Sequence, residues 1–292
     1  MKILAADIGG TNTKMGMCDE HGHIEQFKEY PTESLMGGPH VIDKLLLQLA
    51  AYTGYDAIAI STAGQVNSDE GYIVYANSNI PDYTGMKIRE IIEDRFHKPV
   101  MVENDVNAAA LGEAYFGAAQ SFHDFLCLTF GTGIGGSIVI DRQIYRGAKG
   151  VAAEFGHLIT HPLSGMNDDK SMPYYESYAS ATALVRMAQQ VDPECVDGKV
   201  FFGKIRLGNE PLEQILQAWA AEVAIGLASL IHIFNPSAII VGGGVMEQED
   251  LVRAVEVQTQ ALIMESFADV KILKASLGNK AGLLGAASLF LR

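Results

Sequence analysis

A short apolar strand that runs into glycines and out again as a second strand occurs twice in this chain, and that repeat constrains the fold more than any other feature. Residues 2 to 8 read as a buried strand, Gly9-Gly10-Thr11-Asn12-Thr13 as a tight turn, and Lys14 to Cys18 as the returning strand. The pattern recurs as Phe125 to Phe130, the glycine turn Gly131 to Gly136, and Ser137 to Ile140. In the first half Asp19-Glu20-His21-Gly22 turns the chain into a third strand, Ile24 to Tyr30, so an antiparallel hairpin opens the fold. Apolar residues then recur at helical spacing at Val41, Ile42, Leu45, Leu46 and Leu49, followed by a buried strand, Ala57 to Ile60. A helix over 86–96, a strand over Val100 to Val102 and an alanine-rich helix over Asn107 to Phe116 complete that half. The second half continues with a long helix over Pro211 to Phe234, a strand at Ala238 to Val241, the turn Gly242-Gly243-Gly244 and an amphipathic helix over 247–264. Strands alternating with helices predict an α/β layer architecture, and the halves read as weak duplicates.

The 292 residues fit two domains at roughly 100 to 200 residues each. We draw them as 1–117, completed by 279–292, and 118–278. A net charge of −14, from 21 Lys+Arg against 35 Asp+Glu, disfavours a broad phosphate-neutralising surface, so no nucleic-acid partner is expected. The three cysteines, Cys18, Cys127 and Cys195, lie too far apart for a disulfide framework or a four-thiolate metal site. No signal-like core precedes Asp7 and no run of 18 apolar residues occurs, so a soluble, cytoplasmic chain with no membrane partner is expected.

Gly9 and Gly10 remove side chains just where Asp7 leaves its strand, so backbone amides and the Thr11 hydroxyl can approach a polyphosphate closely. A bare hairpin turn is the competing reading. The second turn, Gly131-Thr132-Gly133-Ile134-Gly135-Gly136, concentrates glycine between apolar strands, which favours a ligand or a very tight bend. Neither turn opens a helix, which excludes a dinucleotide fingerprint, and neither ends in the Gly-Lys-Ser/Thr of a Walker loop. Gly242-Gly243-Gly244 stands between a strand and a helix, where it can admit a nucleoside or simply form the turn.

Glu103-Asn104-Asp105 sits at the carboxyl end of an apolar strand, the usual ligand edge of an open α/β sheet. Asp105 can accept the proton of an alcohol during phosphoryl transfer, or can be a residue near a helix cap; Asn104 and Asn107 can be local turn residues, and Glu103 can face solvent. Glu154, Gly156 and His157 form a polar cluster suited to sugar hydroxyls, with a structural histidine as the plainer reading. Glu176 joins it if the irregular segment Met166 to Pro173 folds back, and Asn77 and Asn79 form a polar edge or an ordinary turn. Trp219 reads as core.

The ordered set Asp7-Ile8-Gly9-Gly10-Thr11-Asn12-Thr13-Lys14, Glu103-Asn104-Asp105, Gly131-Thr132-Gly133-Ile134-Gly135-Gly136, Glu154-Phe155-Gly156-His157 and Gly242-Gly243-Gly244 resembles the ROK family of bacterial sugar kinases and related repressors. The resemblance covers nearly the whole chain, to Gly282-Leu283-Leu284-Gly285-Ala286-Ala287. It implies an actin-like, hexokinase-like duplicated two-domain α/β fold around an interdomain cleft, usually in a homodimer. It implies ATP and Mg²⁺ as cofactors, Asp105 as catalytic base, and Asn104 as a sugar-positioning residue. Asp7 would arrange the Mg²⁺-phosphate end; Gly9, Gly10, Thr11, Lys14, Thr132 and Gly133 would bind ATP, with Gly243 near the nucleoside. Asn79, Glu154, His157 and Glu176 would surround the sugar.

One departure stands out. Many members carry a Cys-x-Cys-Gly-x-x-Gly-Cys-x-Glu segment that holds zinc with the Gly-His histidine; here the cysteine positions are Asn167, Asp169 and Tyr174, and only Glu176 remains. Without those thiolates no structural zinc is expected. The same departure resembles the β-glucoside kinases, so the expected reaction is phosphorylation of the 6-hydroxyl of a glucose unit, with β-glucosides such as cellobiose or gentiobiose placed ahead of free glucose, then fructose and N-acetylmannosamine. A repressor would carry an added helix-turn-helix before the first strand, and a sugar-sensing binder without catalysis is the remaining non-enzyme reading.

Overall fold

The structure, a computed structural model, describes residues 1–162 and 172–291. Strand β1 (Ile3–Ile8) is apolar without alternation because it is covered on both faces. β2 (Asn12–Cys18) pairs with it antiparallel, and the more exposed β3 (Ile24–Pro31) adds antiparallel to β2 as an edge. Helix α1 (Gly38–Leu49) carries Pro39 in its first turn and buries Val41, Ile42, Leu45 and Leu49, the face that the helical spacing predicts. β4 (Ala57–Thr62) is buried throughout and runs parallel to β1, which sets Asp7 opposite both Lys14 and Ser61. A small ribbon of β5 (Gln65–Asn67) and β6 (Tyr72–Tyr75) precedes helix α2 (Ile88–Phe96), which ends at His97 in the left-handed region. β7 (Val100–Asn104) pairs parallel with β4 and leads directly into α3 (Asp105–Phe116). The first sheet therefore has the order β3-β2-β1-β4-β7.

The second sheet repeats that logic. β8 (Phe125–Phe130) is followed by β9 (Ile134–Ile140) and the short β10 (Gln143–Ile144). Helices α4 (Tyr175–Ala179), α5 (Ala181–Val191), α6 (Gly198–Arg206) and α7 (Glu210–Phe234) follow. β11 (Ala238–Gly242) runs parallel to β8, and helix α8 (Glu249–Gln260) connects it to the parallel β12 (Lys271–Lys274). The order β10-β9-β8-β11-β12 matches the first sheet, with three strands in meander sequence and two parallel additions. Helix α9 (Ala281–Ser288) closes the chain.

Two compact units result: Met1–Ser121 with Ile138–Ala152 and Ser276–Arg292, and Phe122–Ser137 with Ala153–Ala275. The segment Ile138–Ala152, which falls within 118–278 on sequence, belongs to the first of these. In that unit one core cluster joins Leu4, Ile8, Ile58 and Ile60 to the buried residues of α1 and α2. A second joins Ile3, Ala5, Cys18 and Ala59 to Leu283, Leu284, Ala286 and Ala287 of α9. Gly285 lets α9 pack backbone to backbone on α3: a β-carbon there would lie 1.6 Å from the Ala108 carbonyl oxygen. That contact fixes the helix that carries Asp105. In the second unit α7 buries Trp219, Val223, Leu227 and Ile231, and Trp219 Nε1 donates to the Ser180 carbonyl at 2.9 Å. Among the described residues α7 is the one helix long and apolar enough to cross a membrane by length and composition, yet its apolar side is the core of its unit.

Candidate active site

In the first unit the strand ends place two carboxylates and a cap within one polar cluster. Asn104 is the N-cap of α3: its Oδ1 accepts the Val106 and Asn107 amide N–H groups at 3.0 and 3.1 Å. Its Nδ2 donates to the Gly64 carbonyl and to Asp105 Oδ1, each at 2.9 Å. All four hydrogen-bonding positions of the amide are thus filled within the protein. This is the local-turn arrangement that the residues allow for Asn104, and it ties the Asn104 amide to Asp105 Oδ1. Asp105 occupies the first position of α3, two residues earlier than the predicted start at Asn107, and its Oδ1 also accepts the Val106 N–H at 2.9 Å. Burial, then the negative charge of Asp7, push its carboxyl up to about 7, against the opposing hydrogen bonds from Val106 and Asn104. A carboxyl poised near neutrality suits a general base.

Asp7 lies at the end of β1, where Ser61 Oγ donates to its Oδ1 at 2.7 Å. Burial raises its pKa, while the Ser61 bond and the Lys14 charge on the facing strand oppose the rise. The first turn of α9 presses on this carboxyl: a β-carbon at Gly282 would stand 2.7 Å from Oδ1. Hard oxygen donors and two like-charged carboxyls suit a magnesium ion held through one carboxylate and phosphate oxygens. The Gly9–Thr11 turn is pinned by the Thr32 hydroxyl on the Gly9 carbonyl at 2.7 Å and by the Thr32 N–H on the Thr11 carbonyl at 2.8 Å. Gly10 faces open space, so its missing side chain leaves room beside an exposed Thr11.

Glu103 corrects the solvent-facing alternative. It is fully buried and ion-paired with Arg146, whose Nη2 lies 2.5 Å from Oε2 and whose Nη1 donates to Oε1 at 3.1 Å. Its Oε1 also accepts from Ser68 Oγ at 2.9 Å, the Asn104 N–H at 2.9 Å and Asn107 Nδ2 at 3.2 Å. Asn79 is exposed, in a turn where its N–H donates to Asn77 Oδ1 at 3.0 Å.

In the second unit β9 begins at Ile134, so the glycine turn shortens to Gly131–Gly133. Glu176 folds onto it: Oε2 accepts the Ile134 N–H at 3.2 Å, and β-carbons at Gly133 or Gly156 would fall 2.6 or 2.7 Å from that oxygen. Two of the glycines therefore admit a protein carboxylate. The Gly131 carbonyl caps α5 by accepting the Ala181 N–H at 2.9 Å, and Thr132 is exposed at the tip. Glu154 and His157 flank the 3₁₀ turn Phe155–His157 on one side, with His157 Nδ1 4.0 Å from Glu154 Oε2 and its ring 5.2 Å from that of Tyr174. Ala153, just before them, takes a left-handed φ of 70°, a strained conformation for alanine. Gly243 has φ 97°, and a β-carbon would meet the Phe130 carbonyl oxygen at 2.3 Å, so its glycine is demanded by the β8–β11 packing itself. Asn167 and Asp169 lie outside the described residues. Among the described residues no group of three or more His, Cys, Asp or Glu is placed to hold a metal.

The ROK family model matches residues 3–292. The chain belongs to the ROK family. A glucokinase of Streptomyces coelicolor is 35% identical, covering 98% of this chain and 96% of its own. A β-glucoside kinase of Listeria monocytogenes is 32% identical over 100% of this chain and 98% of its own. The crystal structure of a ROK family glucokinase from Streptomyces griseus in complex with glucose and AMPPNP superposes with a TM-score of 0.86 at 33% identity, covering 99% of each chain. The ROK motifs name Asp7, Asp105 and Glu176, but not the residues that hold them. Ser61, Ser68 and Arg146 were missed. Ser61 alone had a sequence signal: a hydroxyl pair, Ser61-Thr62, ending an otherwise apolar strand in parallel register with Asp7.

Proposed function

We propose that this ROK chain, an ATP-dependent sugar kinase, transfers the γ-phosphoryl group to the 6-hydroxyl of a glucose unit, with free glucose as its preferred acceptor. The observation that carries the reading is the carboxyl of Asp105: it opens a helix at a strand's end, is fixed on one oxygen, and titrates near 7. Its Oδ2, which neither Asn104 nor Val106 engages, takes the proton of the sugar O6. As the O6–Pγ bond forms, the bond from Pγ to the bridging oxygen breaks and its electron pair leaves with ADP. Mg²⁺, bound through Asp7, would neutralise charge on the phosphates. In the first unit the Gly9–Gly10–Thr11 amides and Lys14 serve the phosphates; in the second, Thr132 and Gly133 do so and Gly243 borders the nucleoside. Glu154, His157 and Glu176 read sugar hydroxyls.

The preference for free glucose reverses the order drawn from sequence. It is supported by the glucokinases among the relatives and by the glucose-bound structure. A second reading, a β-glucoside as acceptor, is supported by the Listeria relative and by Tyr174 standing where zinc-binding members carry cysteine. The test is ATP-dependent product formation on glucose, cellobiose, gentiobiose, fructose and N-acetylmannosamine. The highest kcat/KM is expected on glucose; a cellobiose or gentiobiose value above it would transfer the assignment to the second reading. No sugar-dependent ADP on any of the five would remove the kinase reading.

A further inference from the structure

Directly before the Asn104–Asp105 step, the first unit buries a carboxylate that the reaction does not use. Glu103 is fully enclosed, yet accepts hydrogen bonds from four groups and forms an ion pair with the fifth atom, Arg146 Nη2. Two of those donors belong to the first turn of α3 and its cap: the N–H of Asn104 and the side chain of Asn107. The other two sides come from elsewhere in the unit. Ser68 follows β5, and Arg146 follows β10 and also donates from Nη1 to Ser68 Oγ at 2.9 Å. A buried carboxylate is tolerated when it is paired and hydrogen-bonded, and an arginine fork supplies both in a fixed plane. Ser68 is itself fixed, because Arg89 Nη2 donates to its carbonyl at 2.7 Å and Nη1 to that of Asp69 at 2.6 Å. The two segments thus form a rigid seat on one side of Glu103, and the helix start hangs from the other.

We propose that Arg146 is a positioning residue for the phosphoryl-transfer reaction: by clamping Glu103 together with Ser68, it fixes the Asn104 backbone and the first turn of α3, and so the aim of the Asp105 carboxylate. Arg146 touches neither Asp105 nor any reacting atom in this account. It acts through three links: its fork to Glu103, Glu103 Oε1 to the Asn104 N–H, and Asn104 Nδ2 to Asp105 Oδ1. An error of about 1 Å in the base costs on the order of 100-fold in rate without a matching loss of binding. The ion pair also keeps a second negative charge from standing unneutralised two residues from the base.

This inference rests on the kinase reading, and the experiment separates the two. Arg146→Met, Arg146→Lys and Ser68→Ala are compared with the parent chain and with Asp105→Asn, using active-site titration and temperatures below each variant's unfolding transition. In Arg146→Met, kcat should fall about 10-fold or more while KM for sugar and for ATP each stay within about two-fold, a split that marks a lost transition-state interaction. Arg146→Lys keeps the charge but not the fork and should recover part of kcat; Ser68→Ala should lower kcat about two- to three-fold. Unchanged kcat per titrated site in Arg146→Met would overturn the proposal, as would losses shared equally between kcat and both KM values. If Arg146→Met fails to fold, unchanged kcat in both Arg146→Lys and Ser68→Ala overturns it. A parent chain that phosphorylates no sugar defeats the kinase reading instead.

Discussion

Glu103 and Asp105 are carboxylates two residues apart at one strand–helix junction, and the protein treats them in opposite ways. Glu103 is fully buried and saturated: a guanidinium fork, a hydroxyl, an amide side chain and a backbone N–H converge on its two oxygens. Asp105 has its two inter-residue donors on one oxygen, and burial of its carboxyl, with the charge of Asp7 rather than a cation beside it, pushes it up to about 7. A charge that is compensated everywhere is structural and inert. A charge left under-compensated beside another negative group stores the driving force for taking up a proton. The β7–α3 junction makes both from the same residue class by changing only what surrounds them.

The largest effect should come from the under-compensated member. Asp105→Ala is expected to lower kcat by about 10²- to 10⁴-fold, the range for removing a general base, with the fold retained by circular dichroism. Turnover within about three-fold of the parent would dissolve the contrast by showing that Asp105 is as inert as Glu103. The saturated member should answer in the other currency. Glu103→Ala strands a half-buried guanidinium and two helix-cap donors, and breaking a buried pair costs about 3–5 kcal/mol, so urea unfolding should show a loss of that size. A loss under about 1 kcal/mol would mean that water replaces the carboxylate and that the pair holds nothing.

How far this junction could be read from sequence follows from the same contrast. Asp105 was legible because it follows an apolar strand at the edge where open α/β sheets place ligands, whereas the role of Asp7 rests on the family resemblance. The two sheets were legible in outline because each opens with strand, glycine turn and strand. The partner of Glu103 was not: Arg146 stands 43 residues downstream, on a stretch with no periodic pattern. Without that partner a glutamate in an apolar strand reads as a surface residue. The helix start slipped by two residues because Asn104, Asp105 and Asn107 are all acceptable caps by type, and only the geometry selects Asn104. Gly133 reads as room for phosphate and Gly156 as part of a sugar-reading cluster; the contact that both make with Glu176, 42 residues from the Ile134 amide it binds, has no signal in either motif. The zinc-loop positions Asn167 and Asp169 remain with the sequence alone.

A third comparison uses pH in metal-free buffer. The Asp105 carboxyl rises from an ordinary 3.8 to about 7 on folding. Below 3.8 both the folded and unfolded chains hold the proton, so the group is neutral to stability. Between 3.8 and about 7 the unfolded chain ionises first, and stability is lost progressively; above 7 the loss is complete, on the order of 4 kcal/mol. Asp105→Asn keeps an acceptor for the Val106 N–H but cannot ionise. Its stability relative to the parent should therefore climb as pH rises from 4 to 8, while turnover stays abolished. A difference in unfolding free energy that is flat across that range would show that the environment of Asp105 does not penalise its charge.

The smallest expected effects test whether the number of donors decides a serine's importance. Ser61 Oγ and Ser68 Oγ make similar bonds, 2.7 Å to Asp7 and 2.9 Å to Glu103. Ser68 is one of several groups on its carboxylate, so its loss leaves Oε1 still bonded to Asn104, Asn107 and Arg146. Ser61 is the side-chain hydrogen bond that opposes the burial of Asp7. Removing a partner costs most when the remaining group is left unsatisfied, so Ser61→Ala should cost about 1–2 kcal/mol in metal-free urea unfolding, and Ser68→Ala about 0.5 kcal/mol. Added Mg²⁺-nucleotide should narrow the gap, because a cation at Asp7 replaces what the hydroxyl supplied, while nothing comparable reaches Glu103. Equal costs for the two serines, unaltered by Mg²⁺-nucleotide, would mean that Asp7 is compensated as fully as Glu103, and the division between reactive and structural carboxylates would then rest on Asp105 alone.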